Sequence, residues 1–208
     1  LQARAIWLLP YLGPEGSKLA DEFATKGSAE VRLLAFRALR NAGREPLLML
    51  SKFYRDSSPA VRRELAVSLR EVEPLRKAAY VAHRLTRCRA SDRTYLEACG
   101  LAAEGAEERV WIQLRSLAKI TDALSWPAPF VKITWRLGPV AAIADLQERA
   151  ESPALPDQAR IFALESLAFI DDPKAMAALT EVTKVNGPVG AEAAHWLIHL
   201  GSTRWKDY

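Results

Sequence analysis

Glu192, His195 and His199 follow one another at spacings of three and four residues, which brings a carboxylate and two imidazoles to one side of a helix. Such a set begins a zinc site but does not complete one. Zinc usually takes four positions with a hydrogen-bonded outer shell, and neither an H-E-x-x-H run nor a further ligand is marked here. The reading favoured is packing and surface hydrogen bonding, so no metal ligand is assigned. His83, beside Ala82 in a basic helix, is weaker still. Asp171 and Asp172 resemble a carboxylate pair, yet they stand immediately before Pro173, where capping of a helix start is the simpler role. Glu97, two residues after Tyr95, fits either a semi-buried acid or an ordinary helix surface. No nucleophile–base–orienter set is assembled, and no catalytic residue is assigned.

Cys88 and Cys99 have no metal-ligand spacing and are too few for a disulfide framework. They fall in adjacent predicted helices, so a bridge and a pair of free buried thiols both stay open. There is no C-x-x-C-H haem attachment and no glycine-rich dinucleotide loop, hence no cofactor-binding residue in this chain. Six tryptophans are more informative: Trp7, Trp111, Trp126, Trp135, Trp196 and Trp205. Beside arginine, an indole can stack on bases, sugars or a partner surface. It can also fill gaps between imperfect helical repeats. Core packing is expected for Trp7, Trp135 and Trp196. Trp126 and Trp205 adjoin a break and the tail and are the expected exposed contacts.

The elements that must position these residues are helices. Ser28–Gly43 and Ser58–Glu73 carry one pattern thirty residues apart, identical at five of sixteen positions. Each starts with a capping serine, places Val and Arg fourth and fifth, and continues with an apolar stripe: Val31, Leu34, Ala35, Ala38 and Leu39, then Val61, Leu65, Leu69 and Val72. Ser58 is the expected N-cap, with Pro59 at the first helical position. Before the first copy, a helix over Gln2–Leu12 stops at Gly13-Pro14 and a short one follows over Ser17–Ala24. Leu47–Tyr54 lies between the copies. Further segments are predicted over Leu75–Arg87, Asp92–Ala103, Glu107–Ser125, Ala128–Leu137, Val140–Glu151, Asp157–Ile170, Pro173–Val185 and Val189–Leu200. No stretch alternates with a period of two. The expected fold is all-α, a HEAT-like, armadillo-type α-solenoid of stacked antiparallel helix pairs. Residues 1–208 read as one such domain and as a piece of a larger protein.

Half of the residues are apolar and about a quarter charged, a composition that argues against disorder. Charge is uneven: Ser28–Arg93 holds fifteen Lys or Arg against seven Asp or Glu, while the rest is acidic on balance. Such a basic half suits an acidic partner or a polyanion. A solvated arginine-rich helix surface is the plainer reading.

The stretch Asp56–Leu65, in which Asp56 precedes Arg62 by six residues, resembles HEAT repeats, where the Asp before a second helix and a later Arg interact. The first copy departs from this, since Lys26 stands where Asp is expected ahead of Arg32. Ser91–Gly105, Ala163–Pro173 and the closing TRWKDY, taken with the HEAT copies, resemble the helical middle region of large exported, haem-containing, sugar-dehydrogenase-like bacterial proteins of Planctomycete type. That resemblance implies an exported or periplasmic setting, a spacer role beside redox modules, and haem c in a separate domain of the parent. A cytoplasmic location stays open.

The function expected is a non-catalytic scaffold or protein-interaction module that positions neighbouring domains. Its nominated contact residues are Arg32, Arg37, Arg62, Arg63 and Arg70, with Trp205, Lys206 and Tyr208 at the exit. The alternative is a nucleic-acid-binding HEAT-like protein such as an alkylpurine DNA glycosylase. That would need Trp111 or Trp126 and an acid such as Asp122 lining a cavity beside the N-terminal arginines. A third reading holds a small ligand or haem domain without ligating it, and needs an apolar concavity with convergent polar groups, for which the irregular stretch Gly105–Pro139 is the candidate.

Overall fold

Helix starts and stops follow the local chemistry of the chain. The computed structural model describes residues 2–88 and 91–206, and among these are thirteen α-helices and no strand. They are α1 (Gln2–Leu8), α2 (Gly13–Lys26), α3 (Ala29–Asn41), α4 (Pro46–Phe53), α5 (Pro59–Ser68), α6 (Pro74–Leu85) and α7 (Arg93–Ala103), followed by α8 (Glu107–Leu117), α9 (Ala128–Leu137), α10 (Ile143–Glu151), α11 (Asp157–Ala168), α12 (Pro173–Val182) and α13 (Pro188–Gly201). Neighbouring helices stack as antiparallel pairs, as in a HEAT-like solenoid. The chain divides into two compact units, Leu1–Lys77 with Leu101–Glu104, and Ala78–Gly100 with Gly105–Tyr208.

In the first unit α2 packs on α3, α3 on α5, and α4 on α5. The repeat stripes supply the core: Ala35, Ala38 and Leu39 from the first copy, Val61, Leu65, Leu69 and Val72 from the second. Phe36 and Phe53 meet edge to face with ring centroids 4.8 Å apart, a geometry that suits the aromatic quadrupole. The Ser28 hydroxyl accepts the Val31 N–H as the expected N-cap. Ser58 differs: its side chain makes no cap bond, and its own N–H instead donates to the Asp56 carboxylate at 2.7 Å. The helix expected over Gln2–Leu12 ends already at Leu8, a 3₁₀ turn Leu9–Tyr11 follows, and Gly13-Pro14 opens the next helix, so α2 begins four residues ahead of the expected Ser17.

In the second unit α10 packs on α11, α11 and α12 on α13, and α8 on α9. The long helix expected over Glu107–Ser125 is cut at Leu117. Lys119 takes a left-handed conformation (φ 54°), and the Ile120 N–H returns to the Arg115 carbonyl. This is a Schellman-type stop made without glycine, and so without its usual sequence signal. A single 3₁₀ turn, Ala123–Ser125, follows, capped by the Asp122 carboxylate. Buried Arg160 ties α10 to α11, its guanidinium donating to the carbonyls of Ala150 and Glu151 that end α10. The Asp172 carboxylate accepts the Lys174 N–H at 2.8 Å, the capping role expected of it.

Candidate functional site

The nominated arginines of the first unit are mostly engaged within it. Arg32 makes a two-pronged pair with Asp56, Nε to Oδ2 at 2.7 Å and Nη2 to Oδ1 at 2.8 Å, and Nη1 donates to the Gly27 carbonyl. Arg37 reaches Glu64 at 2.7 Å, Arg40 meets Glu71, and Arg70 reaches Glu104 at 2.6 Å. Arg76 pairs with Glu45, while Arg44 and Lys52 share Asp21. These partners stand about one repeat apart in sequence, so the pairs run between helices of successive repeats. Arg62 does not take the Asp56 carboxylate expected of it. Its Nη1 donates to the backbone carbonyls of Asp56 and Ser57, and the carboxylate belongs to Arg32 of the preceding copy. The side chain of Asp56 is only 6% exposed. The Arg32 hydrogen bond, seconded by the Ser58 N–H and the charges of Arg32 and Arg62, holds that carboxyl below its ordinary range against the opposing effect of burial. Arg63 is half-buried and has no ion pair among the described residues.

At the C-terminal end Lys206 is exposed, whereas Trp205, expected to be an exposed contact, is 2% exposed. The Trp205 N–H donates to the Leu200 carbonyl, which folds the tail back under the last helix, and Arg204 reaches the carbonyls of Ala168 and Phe169. Tyr208 lies outside the described residues. Trp126 is likewise buried rather than exposed, packed edge to face on Phe130 at 5.0 Å and against Trp111 at 6.2 Å. Trp7, Trp135 and Trp196, expected in the core, are instead half-buried. Trp135 and Trp196 both meet Phe169, at 6.4 and 5.7 Å.

Exposed His195 and His199 flank Trp196, and among the described residues no cluster of three or more His, Cys, Asp or Glu could hold a metal ion. Glu97 accepts Arg136 Nε at 2.5 Å. Cys88 and Cys99 are buried and form no disulfide with one another; the adjoining Cys88 thiol and burial together push the Cys99 thiol well above its ordinary pKa.

Concavities occur in both units. In the first unit Trp7, Arg37, Arg40, Asn41 and Glu71 line a cavity of about 420 Å³. In the second, an open concavity of about 650 Å³ is lined by Trp126, Ala128, Val131, Lys132 and Arg149 and by α11 residues that include Ala159, Ile161, Phe162 and Glu165. The stretch Gly105–Pro139 thus supplies one wall of an apolar concavity. Asp122, whose carboxylate caps its own turn, does not line it, and neither do the N-terminal arginines. Sequence reasoning missed Arg149. Its position in α10 reads as an ordinary surface arginine, but it is 4% exposed, and its guanidinium lies 5.1 Å from the Trp126 ring centroid. Burial pushes its pKa below the usual guanidinium value, opposed by the charge of Asp122. No protein-family model, curated protein or solved structure matches the chain.

Proposed function

We propose that this chain is a non-catalytic helical-repeat scaffold whose work is to hold neighbouring domains, or a bound protein, at fixed positions. The observation that carries this reading is the set of cross-repeat ion pairs. Arg32, Arg37 and Arg70 are bonded to Asp56, Glu64 and Glu104, and the basic excess of the N-terminal half serves register between helices more than an open cationic face. A half-buried, two-pronged arginine–carboxylate pair fixes geometry in a way an exposed lysine does not. The resemblance to exported haem-containing dehydrogenase-like proteins supplies the neighbours: redox modules, with haem c in a separate domain, in a periplasmic setting. No helix among the described residues is long and apolar enough to cross a membrane.

The competing nucleic-acid reading needs cations free to follow phosphates, and binding of that kind falls steeply with salt. Fluorescence anisotropy with a random duplex and an alkylated duplex at about 20–50 mM salt, run beside a base-excision assay, separates the two. The scaffold reading expects no saturable binding and no excised base. Binding that collapses as salt rises, or measurable excision, overturns it.

A further inference from the structure

One pair of reactive side chains has no part in the ion pairs between repeats. Cys88 and Cys99 both belong to the second unit and are 5% and 2% exposed. Cys88 stands in the turn that follows α6, its N–H on the Leu85 carbonyl at 3.0 Å, and Cys99 lies in α7. Arg84, in the last turn of α6, sets its guanidinium 5.3 Å from the ring centroid of Tyr95, about one helical turn ahead of Cys99 in α7. The end of α6 thus meets α7, and there the Cys88 and Cys99 side chains hydrogen-bond each other. An unlinked cysteine often serves as a small buried hydrophobe. That role does not require two sulfurs to meet. Two thiols in hydrogen-bonding contact hold the approach a disulfide needs, in which the Cβ atoms stand about 3.5–4.5 Å apart.

We propose that Cys88 and Cys99 form an intramolecular disulfide when the chain folds under oxidising conditions, tying the turn after α6 to α7. The oxidant is itself a disulfide, of a small thiol or of a thiol oxidase. One cysteine thiolate attacks a sulfur of that disulfide, giving a mixed disulfide and releasing one thiol. The second cysteine then displaces the other thiol, so two protons and two electrons pass from the pair to the oxidant. Exchange takes place before burial is complete, and the low exposure of the folded side chains therefore does not bar it. Once the fold closes, the same burial shields the bond from reductants. The bond closes the short loop 88–99, and such a cross-link stabilises chiefly by restricting the unfolded chain. The pair goes beyond the scaffold reading, which rests on the ion pairs of the first unit and stands or falls on different experiments.

The test refolds the whole reduced chain in a buffer of oxidised and reduced glutathione and, in parallel, in dithiothreitol. Remaining thiols are then blocked with N-ethylmaleimide in denaturant, and the intact mass is read. From glutathione the expected product is a monomer lighter by two hydrogens that takes no maleimide, with the Cys88 and Cys99 peptides joined in a non-reduced digest. It should melt about 5–10 °C above the chain refolded in dithiothreitol. Cys88→Ala and Cys99→Ala should each abolish that rise. The comparison of oxidised with reduced wild type involves no substitution, so it decides the matter even where a variant fails to fold. Two maleimides on the chain from glutathione, a glutathione adduct or a cross-link between chains in place of the internal bond, or an oxidised form that melts no higher than the reduced one overturns the proposal.

Discussion

Both units pair arginine with carboxylates across helices, and the second adds arginines laid over aromatic rings. In the first, Arg32, Arg37, Arg40 and Arg70 reach carboxylates on neighbouring repeats. In the second, Arg115 and Arg136 likewise reach Asp145 and Glu97, and in addition Arg93, Arg115, Arg149 and Arg204 lie over Trp135, Trp111, Trp126 and Phe169, with guanidinium-to-centroid distances between 5.1 and 5.9 Å. The difference follows sequence regularity. Where the thirty-residue pattern repeats, acid and base recur at matching heights and can pair. Where it decays, helices meet at irregular gaps, and large rings with flat cations fill them. Five of the six tryptophans accordingly belong to the second unit, which predicts that it resists salt better than the first.

Hydrogen exchange resolved by segment reads variants in each unit by itself. The largest loss is expected in the aromatic unit. Trp111→Ala removes a side chain 1% exposed together with its bond to Thr134, and should lower the stability of α8 and α9 by about 3–5 kcal/mol while leaving α3 and α5 unchanged. Asp56→Ala should cost about 2 kcal/mol in the first unit, because it leaves Arg32 without its carboxylate and the Ser58 N–H without an acceptor. This penalty has a pH signature. The folded carboxyl is held below its ordinary value, so its contribution is complete above about pH 3.9 and fades as pH falls through the lower folded value. Wild type and variant should converge there. Thr134→Val keeps the shape but strands the Trp111 N–H, for about 1–2 kcal/mol in the second unit, insensitive to salt. The smallest effect is expected of Arg37→Ala. Its side chain is 50% exposed, and its pair with Glu64 should be worth no more than about 0.5 kcal/mol, less in high salt.

Much of the fold is readable from single residues. Ser28 and Asp172 cap the helices they precede, and the apolar stripe Val61, Leu65, Leu69 and Val72 is buried in full. What the chain does not reveal depends on stacking. That Asp56 serves Arg32, 24 residues earlier, and not Arg62 depends on how one repeat lies on the next. Trp126 and Trp205 look exposed because a proline junction and a chain end surround them, yet tertiary packing on Phe130 and the backbone bond to Leu200 turn both inward. The helix stop at Lys119 lacks glycine, and Arg149 has nothing in its neighbours to distinguish it from an exposed arginine. Local patterns set elements and caps; partners across a repeat and buried cations are set by the assembled helices.

The most direct test of the central claim, that the basic residues of the first unit build the repeat stack, is a double-mutant cycle on Arg32→Met and Asp56→Ala. Stability of α3 and α5 would be read by hydrogen exchange at pH 7 and at low pH. The cycle should give a coupling of at least about 1 kcal/mol at pH 7, falling towards zero once Asp56 is protonated. Effects that add within about 0.5 kcal/mol at both pH values would contradict the claim and return Arg32 to the surface as a residue free for a partner.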